Sequence, residues 1–308
     1  MELEPYLELP DPREAVEQMQ IYSAPLEGRR ELLRLDFNEN TVGPSPLVAE
    51  AIKNIPANNI SIYPEYHGLK EAIANNLNSR MKSSTKIEQL QIGVFNGVDA
   101  AIHAIFHAYG NIRDRLLTTT PTFGYYNPCA QMQGMETIAF PYEGREFRFP
   151  YERITDALHK YKPKLLLICN PNNPTGTRLK AEKIISLSKI SPKTLIVIDE
   201  LYEAFTGDSL LPLVDFNKTP NLLVLRSLSK TSGLAGLRIG FAIGHTIVIN
   251  RLNRVTGPYD INSFAVTAAL AALQDQAYVD KYVSEVLQAK EWIEGQLLSQ
   301  KIRHHIGG

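Results

Sequence analysis

Short apolar runs that do not alternate with polar residues constrain this chain more than any other feature. They fall at Ile92–Phe95, Leu116–Thr119, Thr137–Phe140, Leu165–Cys169, Leu195–Ile198, Leu222–Leu225 and Ile239–Ile243. Four or five residues of mostly Ile, Leu and Val without alternation is the pattern of a strand buried on both faces. Between the runs lie longer segments of helical character: Val98–Tyr109, Tyr126–Gln133, Glu152–Lys160 and Ala181–Lys189. Strand and helix in turn predict an α/β domain, a mostly parallel sheet sandwiched by helices. Three regions follow. Residues 1–33 form an N-terminal arm, with a helix over Asp11–Tyr22 and then a loop containing Pro25 and Gly28. Residues 34–257 form the large domain. Residues 258–308 change character, with helices expected over Asn262–Leu273 and Ala277–Gln300 and no strand between them. The second helix is about 24 residues and ~36 Å long. Ile302–Gly308 reads as the start of a new strand and turn.

Composition excludes several classes of function. A domain of ~300 residues buries about three-quarters of its unfolded surface and needs no disulfides or metals to hold it together. Lys+Arg 32 against Asp+Glu 33 gives a net charge of −1, which provides no basic footprint for nucleic acid. Met1-Glu2-Leu3-Glu4-Pro5 lacks the basic and apolar regions of a signal peptide, and no apolar stretch approaches the ~20 residues that span a bilayer. No membrane role is expected. Cys129 and Cys169 are too few for a disulfide framework, so a reducing, cytoplasmic setting is expected. The sequons at Asn59 and Asn217 are then chance matches.

Polar clusters close several of the strands, where open α/β sheets bind ligands. Asn170-Pro171-Asn172-Asn173-Pro174-Thr175-Gly176 follows one strand; its prolines fix the backbone and would aim the asparagine amides at one point. An ordinary turn uses the same residue types, but seldom this full string. Asp199-Glu200-Leu201-Tyr202 closes the next strand. A carboxylate there is costly unless it meets a cation or donors, so Asp199 either caps the following segment or faces a protonated ring nitrogen near Tyr202. Ser227-Leu228-Ser229-Lys230, with Arg238 beyond it, offers hydroxyls and a planar guanidinium suited to a phosphate dianion. Lys230 is either one more phosphate ligand or a Schiff-base lysine. Asn96-Gly97-Val98-Asp99 opens a helix whose free N–H groups could seat a phosphate, or it is a plain helix start. His103 and His107 stand four residues apart but lack a third metal ligand, so no metal is expected. P-loop and Rossmann spacings are missing, and His304-His305 reads as loop.

Together these clusters supply what pyridoxal 5′-phosphate needs from a protein: a lysine, a phosphate seat and an acid for the ring nitrogen. The chain resembles the fold-type I, class I/II aminotransferases and is most similar to the histidinol-phosphate aminotransferase family. The resemblance rests on Leu35-Asp36-Phe37-Asn38-Glu39-Asn40, Tyr63-Pro64-Glu65-Tyr66-His67-Gly68, Asn96–Asp99, Pro121-Thr122-Phe123, Asn170–Gly176, Asp199–Tyr202, Ser227–Lys230 and Leu234–Arg238. It implies a large domain and a small C-terminal lobe, and a ping-pong transfer between an amine such as histidinol phosphate and 2-oxoglutarate. Lys230 would be the Schiff-base lysine and proton shuttle, and Asp199 would hold the pyridine nitrogen protonated. Asn173 and Tyr202 would donate to the ring oxygen, with Phe123 stacked on the ring. Ser227, Ser229, Arg238 and the backbone of Val98 and Asp99 would bind the phosphate. Tyr63 would reach the neighbouring subunit's phosphate in a homodimer, and Asn38 and Asn40 would border the substrate. Thr41 stands where the family usually has proline, and Phe123 where it more often has tyrosine. The family's substrate arginines lie in the C-terminal lobe, which the resemblance implies is incomplete at Gly308. A phosphothreonine decarboxylase-like lyase and a cofactor-binding protein without efficient turnover are the alternatives.

Overall fold

The computed structural model describes residues 10–17, 19–22, 27–83 and 85–307. Its seven strands are β1 (Ile92–Phe95), β2 (Arg115–Thr120), β3 (Glu136–Pro141), β4 (Leu165–Cys169), β5 (Leu195–Asp199), β6 (Leu222–Ser227) and β7 (Gly240–Gly244). They form one sheet in the order β1-β7-β6-β5-β4-β2-β3. β7 runs antiparallel to both its neighbours, while the pairs from β6 through β3 are parallel. β1 therefore points the same way as the parallel strands. Every apolar run of the sequence became a strand, displaced by a residue or two at most. The α/β class with a mostly parallel sheet holds.

The helices are α1 (Glu14–Glu17), α2 (Pro46–Lys53), α3 (Asn58–Ser61), α4 (Leu69–Arg80), α5 (Gly97–Tyr109), α6 (Tyr126–Met132), α7 (Tyr151–Tyr161), α8 (Ala181–Ile190), α9 (Thr246–Asn253), α10 (Ser263–Gln274) and α11 (Gln276–Ser299). One apolar core joins α2, α4, α7, α8 and α10 to one face of the sheet. The other joins α5, α6 and α9 to the opposite face. With both faces covered, β4, β5 and β7 are buried at every residue, which is why their sequences never alternate.

The expected Asp11–Tyr22 helix is corrected to the single turn α1. None of its residues is buried, and a helix this short has little stability without an apolar face to pack. Gln18, Pro25 and Met1–Pro5 lie outside the described residues. The helices α2, α4 and α9 carry weaker signals and are additions to the sequence reading. α2 starts with Ser45 accepting from the Leu47 N–H and Pro46 in the first turn, a capping pattern visible in sequence. α4 and α9 carry asparagines that dilute their apolar stripe. The C-terminal helices sit within a residue or two of expectation. No helix among the described residues is long and apolar enough to cross a membrane.

Candidate active site

Because β1, β2, β4, β5 and β6 share a direction, their carboxyl ends share one edge of the sheet. A cavity of about 820 Å³ opens there. Val98, Asp99, Phe123, Asn173, Asp199, Tyr202, Ser227, Ser229, Lys230 and Arg238 all line it. The chain thus gathers ten of the expected cofactor residues, drawn from five strand ends and the connections that follow them, into one space.

Asp199 is the last residue of β5 and is only 2% exposed. Its Oδ2 accepts the Tyr126 hydroxyl at 2.6 Å and its Oδ1 the Leu201 N–H at 3.3 Å. Burial pushes its pKa up to about 6, with the Tyr126 hydroxyl and the Leu201 N–H pulling the other way. No lysine or arginine pairs with it among the described residues. Lys230 follows β6 and donates from Nζ to the Phe37 carbonyl at 2.6 Å. Burial lowers its pKa, opposed chiefly by the Glu39 carboxylate, so the neutral amine is more accessible than in water.

Tyr202 accepts from Asn38 Nδ2 at 3.2 Å and Asn173 Nδ2 at 3.4 Å. With both amides donating, the phenol's own hydrogen is left to point elsewhere, and burial keeps that hydrogen on by raising the pKa to about 12. The Phe123 ring packs edge-on against Tyr126, with centroids 5.4 Å apart at 75°.

At the other end of the cavity, Ser227 Oγ lies 2.9 Å from Ser229 Oγ and accepts the Ser229 N–H at 3.0 Å. Arg238 Nη2 pairs with Asp99 Oδ2 at 2.7 Å across the first turn of α5. Gly97, at φ 79°, begins that turn; a Cβ there would stand 2.5 Å from Arg238 Nη2. Hydroxyls, guanidinium and helix start converge as a dianion requires.

The expectation that the asparagines of Asn170–Gly176 aim at one point is corrected. Asn170 is buried and bonds the Leu179 backbone through both Oδ1 and Nδ2. Asn172 is buried against Pro121, Thr122 and Thr175. Only Asn173 enters the large cavity. These two amides satisfy backbone and hydroxyl groups that a buried loop would otherwise leave unpaired. Asn40 likewise turns inward: Nδ2 donates to Thr231 O, and Oδ1 accepts from the Val42 and Gly43 N–H groups. It lines neither this cavity nor its neighbour, whereas Asn38 lines both. Tyr63 lies outside the cavity too, 71% exposed and stacked on Tyr259 at 4.1 Å. His103 bonds the Tyr125 hydroxyl at 2.6 Å.

Tyr126 is the residue that sequence reading missed. It is three residues beyond Phe123, but its partner Asp199 is 73 residues away, a pairing no local spacing reveals. A second cavity of about 370 Å³ shares Asn38, Glu39, Asn173, Pro174 and Tyr202 with the first, and its outer wall adds Phe205, Tyr282, Val286 and Leu287. The site thus offers a room for a planar anionic ring and an adjoining one with an apolar wall.

The chain is similar to known proteins over most of its length. The family described as aminotransferase class I and II matches residues 30–298. A histidinol-phosphate aminotransferase of Moorella thermoacetica is 33% identical over 316 residues, covering 98% of this chain and 78% of that one. A dihydroxyacetone phosphate transaminase of Campylobacter jejuni is 34% identical over 261 residues, covering 84% and 69%. The crystal structure of histidinol-phosphate aminotransferase from Sinorhizobium meliloti in complex with pyridoxal-5'-phosphate superposes with a TM-score of 0.74 at 27% identity, covering 83% of this chain and 68% of that one.

Proposed function

The chain belongs to the class I and II aminotransferases, and on that premise we propose that it moves an amino group between histidinol phosphate, or a related small phosphorylated amine, and 2-oxoglutarate. It is a transaminase and its cofactor is pyridoxal phosphate. The carrying observation is the single cavity that holds Lys230, Asp199 and the Ser227–Ser229–Arg238 group together. The choice of substrate rests on the names of the relatives, histidinol phosphate and dihydroxyacetone phosphate, which share a small phosphorylated skeleton.

The residues present fit the cofactor. Asp199 is a buried carboxylate with no paired cation among the described residues, and a protonated ring nitrogen would supply one. When bound, pyridoxal phosphate contributes an aldehyde for the substrate amine and a ring that takes up the electron pair left by the departing Cα proton. In this reading Lys230 would take up that proton on Nζ and give it back, a task its burial-lowered pKa suits. Asp199 remains an anion beside the ring nitrogen. Tyr202 donates its free hydrogen to the ring oxygen, held in place by Asn38 and Asn173. Phe123 covers one ring face and excludes water. Ser227, Ser229, Arg238 and the N–H groups of Val98 and Asp99 bind the phosphate. Asn38 and the adjoining cavity receive the substrate's side chain.

The reading includes a homodimer in the cytoplasm. Tyr63 supports the first part: it is exposed and outside its own cavity, as expected of a side chain that serves a neighbouring subunit. Cys129 and Cys169, buried and unpaired, are compatible with a reducing compartment.

The test is a donor panel of histidinol phosphate, glutamate and phosphorylated amino alcohols, followed through the cofactor's visible absorbance and the oxo product. Wild type is expected to turn over with histidinol phosphate and 2-oxoglutarate. Lys230→Ala is expected to lose the bound-cofactor absorbance and at least about 100-fold in turnover. Full activity in that variant overturns the reading. Carbon dioxide release without an oxo acid would replace it with a lyase.

A further inference from the structure

We propose that Tyr126 is a positioning residue for this reaction: its hydroxyl fixes the Asp199 carboxylate while its ring edge fixes Phe123, so one side chain sets both the acid and the stacking face. The inference rests on the transaminase reading of the cavity.

Tyr126 is the first residue of α6 and is 1% exposed. A hydroxyl so deeply buried is costly unless it donates, and it donates to Asp199 Oδ2 at 2.6 Å. The Leu201 N–H holds the other oxygen, so the carboxylate is gripped at both atoms and its plane is defined. The same Tyr126 ring stands edge-on to Phe123, 5.4 Å away at 75°. α6 thereby couples two walls of the cavity that reach it from different strands, β2 through Phe123 and β5 through Asp199. Its removal would free both.

Charged and titratable groups surround the pair: Asp99 of α5 and Glu200 beyond β5, Cys169 of β4, Tyr202, and Lys230 after β6. Burial together with Asp99 and Glu200 favours the protonated acid; the Tyr126 hydroxyl favours the anion. Loss of the hydroxyl therefore raises the pH needed to keep Asp199 charged.

The test titrates apoprotein with pyridoxal phosphate in wild type, Tyr126→Phe, Asp199→Asn and the double variant, reading affinity by equilibrium dialysis. Tyr126→Phe is expected to weaken binding roughly 10-fold to 100-fold, as for a hydrogen bond to a charged group. The acid limb of its pH–affinity profile is expected to move to higher pH. In the Asp199→Asn background the same change is expected to cost less than about threefold, because the partner it acts through is already altered. Equal weakening in both backgrounds, or an unmoved acid limb, overturns the proposal. A wild type that binds pyridoxal phosphate but transfers no amino group defeats the transaminase reading without touching these affinities, so the two failures are distinguishable.

Discussion

Asp199 and Glu200 are neighbours, both buried to 2% exposure or less, yet they are opposite cases of a carboxylate inside a protein. Glu200 has all it needs. It meets Arg226 at 2.9 Å and accepts from Ser209 at 3.0 Å and from the Leu210 N–H at 2.6 Å, and Arg226 also pairs with Glu203. Burial pushes the Glu200 pKa up, and the guanidinium is the chief force holding it down. Asp199 has a phenol and one N–H, no paired cation among the described residues, and a pKa near 6. The difference separates structure from function. One acid ties the end of β5 to β6 through Arg226; the other is short of the positive charge that a bound ring supplies. The tie serves the site as well, because Glu200 follows Asp199 and Arg226 precedes Ser227. Consecutive strand side chains face opposite ways, so the clamp on one face holds the ligand groups on the other.

Breaking the completed side has the largest effect. Arg226→Met leaves Glu200 and Glu203 buried without their cation and is expected to cost about 3–5 kcal/mol in urea unfolding. A cost below about 1 kcal/mol would mean that the clamp is not what joins the strand ends. Relieving the incomplete side should do the reverse. Asp199 is raised from 3.8 to about 6 on folding, so the folded apoprotein holds its proton more tightly than the unfolded chain. That contribution to stability is full below pH 3.8 and is lost as pH rises through 6. Asp199→Asn is therefore expected to stabilise the apoprotein at pH near 8 by as much as about 3 kcal/mol, at 1.36 kcal/mol per unit. The gain should fade toward pH near 4, while transaminase activity falls. An apoprotein equally stable in both forms at every pH would show that Asp199 is not short of a partner. The smallest effect sharpens the contrast: Ser209→Ala removes one neutral member of the Glu200 network and is expected to cost about 1 kcal/mol.

The strands were legible because their burial on both faces left no polar residue to blur them, as Leu165–Cys169 shows. α4 was not: Asn75, Asn76 and Asn78 interrupt its apolar stripe, and two of them serve tertiary bonds, Asn76 to α11 and Asn78 to the Ile87 backbone. At the site, Asp199 could be recognised as a costly group at a strand end, and Lys230 by the hydroxyls and the arginine that accompany it. Direction could not. Asn40, Asn170 and Asn172 are the same residue type as Asn173 and Asn38, but their amides complete backbone hydrogen bonds, and only the folded loops decide which amide faces ligand. Tyr126 looked like any aromatic on a helix, since its role depends on a carboxylate brought from another strand.

Gly97 carries a consequence for how narrowly the phosphate end is built. Its left-handed backbone and the 2.5 Å approach of Arg238 to an imagined Cβ are separate objections to the same substituent. A single methyl group would be opposed by torsion, and the flexible end of Arg238 could make room for it only by leaving its place beside Asp99, so the position favours a hydrogen atom.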